Sequence, residues 1–115
     1  MGKRIHRVAL NSIQNRTLDL GYVGENEHTQ VIFGCAEVFN DYPEATAVLK
    51  VRPNGFEIYE PSITIDEMDV IWTLSSSELQ RNESGAYQLT FTSGTEIMKS
   101  AIGAYTIHSS LNYNG

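Results

Sequence analysis

In the stretch 85–92, Tyr87, Leu89 and Phe91 alternate with Gln88, Thr90 and Thr92. A period of two suits a strand with one dry face and one wet face, and no helix satisfies it. The same parity recurs where Ala47, Leu49 and Val51 oppose Val48, Lys50 and Arg52, and where Val70, Trp72 and Leu74 oppose Ile71 and Thr73. Thr29, Val31 and Phe33 make a fourth such set. Short turns separate these runs. Asn54-Gly55 lies between 46–52 and 56–59 and predicts a tight hairpin, and Ser93-Gly94 predicts a second one between 85–92 and 95–108. In the last run the apolar parity passes from Met98 and Ile102 to Tyr105 and Ile107, with Gly103 at the switch. That predicts a bulge or bend.

One stretch departs from the pattern. In 36–42, AEVFNDY, Val38, Phe39 and Tyr42 fall at helical offsets ahead of Pro43, which predicts one short helical turn capping an end of the sheets. Pro61 has no N–H to give a ladder and reads as an edge or bend between 56–60 and 62–65. The expected fold is all-β: an antiparallel β-sandwich, Ig-like or jelly-roll-like, of about eight short strands. With 115 residues, residues 1–115 make a single β-sandwich domain, and 41% apolar against 19% charged residues gives it a core to bury.

Charge narrows the partners. Eight Lys and Arg against fourteen Asp and Glu leave a net charge of −6. Duplex nucleic acid and anionic membranes demand the opposite sign, so neither is an expected partner. No run of eighteen apolar residues occurs and the N-terminus has no signal-peptide core, so synthesis in the cytoplasm is expected. The charge is also uneven. Lys3, Arg4, Arg7 and Arg16 are the only charges up to residue 18, whereas 19–49 and 57–80 hold carboxylates and no Lys or Arg. Residues 1–11 therefore read as an N-terminal arm or edge strand. Its candidate interface is Ile5, Val8 and Leu10 pairing with a partner strand, with Arg4 and Arg7 choosing that partner by charge.

The side chains that carry chemistry are dispersed. Asp66-Glu67-Met68-Asp69 is too compact for an EF-hand loop and reads as an acidic turn between strands. His6, His28 and His108 have no metal-ligand spacing, and Glu27 and His28, being adjacent on an extended chain, face opposite ways. The single cysteine, Cys35, excludes an internal disulfide and reads as a buried small hydrophobe. Ser75-Ser76-Ser77-Glu78 reads as a polar strand end or helix cap with no base assigned to it. No catalytic residue, metal or cofactor is therefore expected. Tyr22, Tyr59, Trp72, Tyr105 and Tyr113 supply the alternative function, a carbohydrate-binding module that stacks cell-surface sugars on exposed rings. Trp72, flanked on its own face by Val70 and Leu74, reads as core.

The segments LDLGYVGENEHTQVIFGC (18–35), AEVFNDYPEATAVLKVRPNGF, VIWTLSSSEL, GAYQLTF and MKSAIGAYTIHSSL together resemble small β-sandwich modules encoded among tail genes of phages and prophages of Gram-positive bacteria. They are similar to the N-terminal domain of baseplate upper proteins. The resemblance spans about residues 18–111 and includes no catalytic signature. It implies a structural, non-enzymatic role: attachment to a tail or baseplate through protein partners, in a homo-oligomer, inside a phage-like particle. After the module come only Asn112-Tyr113-Asn114-Gly115, with no coiled coil, fibre or receptor-binding domain. A stand-alone adaptor, or a piece of a longer gene product, is expected ahead of direct host binding.

Overall fold

The computed structural model describes residues 3–111. Alternating side chains produce strands β1 (Arg4–Ala9), β2 (Thr17–Tyr22), β3 (Thr29–Gly34), β4 (Thr46–Pro53), β5 (Thr64–Asp66), β6 (Asp69–Thr73), β7 (Glu83–Ser93), β8 (Glu96–Lys99) and β9 (Gly103–His108). The helical turn α1 (Ala36–Asp41) lies between β3 and β4, where its pattern placed it, and it buries Phe39 edge-on to Phe91. The strands form an all-β sandwich. One sheet has the order β1-β3-β6-β5; the other has the order β2-β9-β7-β4, with β8 also paired to β7.

Wholly antiparallel pairing does not hold. β1 runs parallel to β3, and β2 runs parallel to β9. A short 3-10 turn, Leu10–Asn15, buries Ile13 and carries the chain from the first sheet to the second. Consecutive strands β1 and β2 therefore do not pair with each other. Each joins an edge of a different sheet, and period two encodes which face is dry but not which way the neighbour runs.

The predicted dry faces of β3, β4, β6 and β7 turn inward, whereas Ile102, read on an apolar parity with Met98, is exposed. Val31, Phe33, Leu49, Val51, Val70, Trp72, Tyr87, Leu89 and Phe91 are all buried in one core cluster with Ile13, Leu18 and Tyr105. Each large side chain taken from water this way contributes about 1.5–3 kcal/mol. Where β7 meets β9, glycine and tyrosine face each other twice, Gly85 opposite Tyr105 and Tyr87 opposite Gly103. A Cβ at either glycine would overlap the opposing phenol. The ladder breaks between β8 and β9 as Gly103 predicted: Leu89 N–H turns to the Ser100 hydroxyl at 3.0 Å, and Ser100 N–H bonds Leu89 O at 2.9 Å.

The two predicted hairpins differ. Gly94 opens the two-residue loop between paired Ser93 and Glu96 with φ +61°, a value that suits glycine at the first position of a hairpin turn. At Asn54-Gly55 the turn forms, with Phe56 N–H bonding Pro53 O and Gly55 at φ +82°. The returning arm then pairs only through Val51 and Tyr59. β4 is the last strand of its sheet, and beyond that one bridge the return arm adds no ladder to its outer edge among the described residues, with Phe56 and Ile58 exposed.

Candidate interaction surface

The N-terminal residues divide between the core and the surface. Arg4 N–H bonds His28 O. By strand alternation the backbone groups of Ile5, Arg7 and Ala9 then face away from β3, along the open edge of the first sheet. Ile5 and Arg7 are exposed there. Val8 is buried and Leu10 packs half-buried against the core, so neither side chain is offered to a partner. Arg4 is also engaged internally, 2.9 Å from Glu25 Oε1 and 2.8 Å from Thr29 Oγ1. Gly21 lies beside this pair, and any Cβ at that position would overlap both charged groups. Burial raises the Glu25 pKa, but the Tyr22 N–H and the Arg4 guanidinium outweigh it and leave the carboxyl below its ordinary value.

Two of the three scattered histidines meet at Asp19. His6 Nε2 donates to the Asp19 carbonyl at 2.6 Å while its Nδ1 accepts from Arg16 at 3.3 Å. His108 Nε2 lies 3.3 Å from Asp19 Oδ1. Among the described residues no three His, Cys, Asp or Glu side chains converge as metal ligands. Asp66 and Asp69 close the two-residue turn between β5 and β6, with Glu67 at φ +55°. The acidic turn is therefore present as read. Cys35 is fully buried, and that burial pushes its thiol up to about 11.

The aromatic platform does not assemble. Trp72 and Tyr105 are buried and Tyr59 is half-buried. Tyr22 is exposed but leans on the His108 ring at 5.3 Å, and Tyr113 lies outside the described residues. Two carboxylates hold the buried rings by their polar ends. Glu78 accepts from Trp72 Nε1 at 3.1 Å, from Ser75 N–H at 3.0 Å and from Tyr59 Oη at 3.4 Å. Glu83 accepts from Arg81 Nε at 3.1 Å and from Tyr105 Oη at 3.3 Å. Burial first, and the nearby carboxylates second, push both tyrosine hydroxyls far above their ordinary pKa. The Arg81 guanidinium covers Phe56 at 3.9 Å from the ring centre. In the cleft of about 290 Å³ in front of them, Glu78 and Glu83 are thus already engaged by Tyr59 and Arg81 of the same wall. The S-x-x-E spacing at Ser75 gave a sequence signal for the Glu78 contact; nothing local announced Glu83.

The most unmatched surface is the outer face of the second sheet. Strand register places Val48, Thr90 and Lys99 in one row, Lys50 and Gln88 in the next, and Arg52, Ala86 and Ala104 in a third. Positions of β4, β7, β8 and β9 that share this face carry no Asp or Glu. Ile58, Ile97 and Ile102 are 56%, 64% and 60% exposed around it. A groove of about 100 Å³ runs between Lys50, Arg52, Ile58, Ala86, Gln88 and Ile102. Among the described residues, ion pairs engage Arg4, Arg81 and His108; Lys50, Arg52 and Lys99 have none. The sequence showed Lys50 and Arg52 on one wet face, but only pairing with β7 brings Ile102 and Lys99 beside them. Neither a protein-family model nor a curated protein matches the chain.

Proposed function

We propose that this protein is a non-enzymatic assembly module of a phage or prophage tail or baseplate. It is made in the bacterial cytoplasm, built into the particle, and acts through protein–protein contacts. The observation that supports this reading most is the outer face of the second sheet. Across β4, β7, β8 and β9 it carries no carboxylate and is fringed by exposed isoleucines, and Lys50, Arg52 and Lys99 lack ion-pair partners within the described residues of an acidic chain. Exposed apolar side chains next to unpaired charge suit a protein surface of opposite sign better than they suit water. The open edge at Ile5 and Arg7 adds a second contact surface, where a partner strand would find unused backbone donors and acceptors.

The test is incorporation. Particles assembled with the epitope-tagged protein are purified, probed for the tag, and imaged by electron microscopy. The expected result is a fixed number of copies at one position on the tail. A protein found only in the soluble fraction of a lysate, never in particles, overturns the reading.

A further inference from the structure

We propose that the groove between Lys50, Arg52, Ile58 and Ile102 receives the β5–β6 hairpin of a second copy of this chain. The proposal rests on the assembly reading and adds its partner. The hairpin is the converse of the groove. It presents Asp66, Glu67 and Asp69 beside Ile65 and Met68, which are 45% and 40% exposed. Its three carboxylates, like the groove's Lys50 and Arg52, have no ion pair among the described residues. Carboxylates at the tip match the two cations, with Arg52 able to take one through two N–H groups. Ile65 and the adaptable thioether of Met68 match the exposed isoleucines.

One molecule does not satisfy both halves by itself. The hairpin is the edge of the first sheet, and the groove opens on the outward face of the second. Contact between copies is therefore heterologous, each chain giving one hairpin and one groove, and such contacts close into a ring or continue as a filament. The competing mode pairs two β1 edges about a twofold axis. Centred on the exposed Arg7, it would set Arg7 against Arg7, and like charges directly opposite are unfavourable.

The test is charge reversal followed by mixing. Molar mass by light scattering and sedimentation is measured for the full chain up to about 1 mM, a range that captures weak contacts. It is measured again for the double variants Lys50→Glu/Arg52→Glu and Asp66→Lys/Glu67→Lys. All four positions are exposed, and circular dichroism with thermal melts checks that each variant is folded. The expected result is that the wild type associates and each variant alone associates more weakly, on the order of 100-fold. Mixing the two variants restores association, because each supplies the half that the other has reversed. A wild type that stays monomeric, variants that associate like the wild type, or a mixture that remains monomeric overturns the proposal. A monomer still incorporated into particles overturns this contact alone, whereas absence from particles overturns the assembly reading itself.

Discussion

Gly85 and Gly103 sit opposite the two phenols that fill the space between β7 and β9, so their missing side chains are part of the packing. Gly103→Ala forces a methyl group into the Tyr87 ring, and Tyr87 is already buried with its hydroxyl unpartnered. Overpacking of this kind costs about 1–3 kcal/mol, which urea titration would read as a lower midpoint with an unchanged slope. Cys35 gives a second measurement. With its thiol pushed up to about 11, it is protonated at pH 8 and shielded from solvent. Its reaction with a disulfide reagent at pH 8 should be on the order of 100-fold slower in the native protein than in denaturant. Native reactivity equal to that of the unfolded chain would remove the buried placement.

Among elements, β1 takes the edge-strand form, one of the two readings of residues 1–11: it is the outer strand of the first sheet, parallel to β3, held by Val8 in the core and by Arg4 on Glu25. Deleting residues 3–9 should therefore lower stability as well as remove an edge, by about 3 kcal/mol or more, since a buried valine and a strand ladder both go. Thermal melts of the truncated chain would read it. The Arg4–Glu25 contact also has a pH signature. Glu25 lies below its ordinary value of 4.5 in the folded state, so the stability it adds is present above that value and is lost as pH falls through the lower folded one. Arg4→Ala should flatten that acid limb of the stability curve and leave the neutral limb parallel to wild type. At the β6–β7 connection, Glu78→Ala leaves the Trp72 indole N–H and the Ser75 N–H without their acceptor. That change should cost about 1–3 kcal/mol and shift the tryptophan emission.

For the whole molecule, the separation of charge is the property that assembly would use. The carboxylates of the β5–β6 turn and the cations of the second sheet's outer face lie on different sheets, each without an ion pair among the described residues. If that separation drives self-association, raising ionic strength should weaken it while leaving the exposed isoleucine contact in place. Molar mass would then fall with salt toward a plateau, not to zero association.

The sequence determined the elements and their inner faces. Alternation placed Leu49, Val51, Val70, Trp72, Leu89 and Phe91 in the core, the helical offsets placed α1, and the acidic run became a turn, because side-chain parity and turn chemistry act within a few residues. Tertiary structure alone decided that β1 and β2 run parallel to their neighbours. It also decided that Arg4 turns inward to Glu25, that the aromatic residues are separated, and that Lys50, Arg52 and Ile102 line one groove. Those outcomes depend on which strands lie side by side, and strand adjacency is set by packing between residues dozens of positions apart, which no local period records.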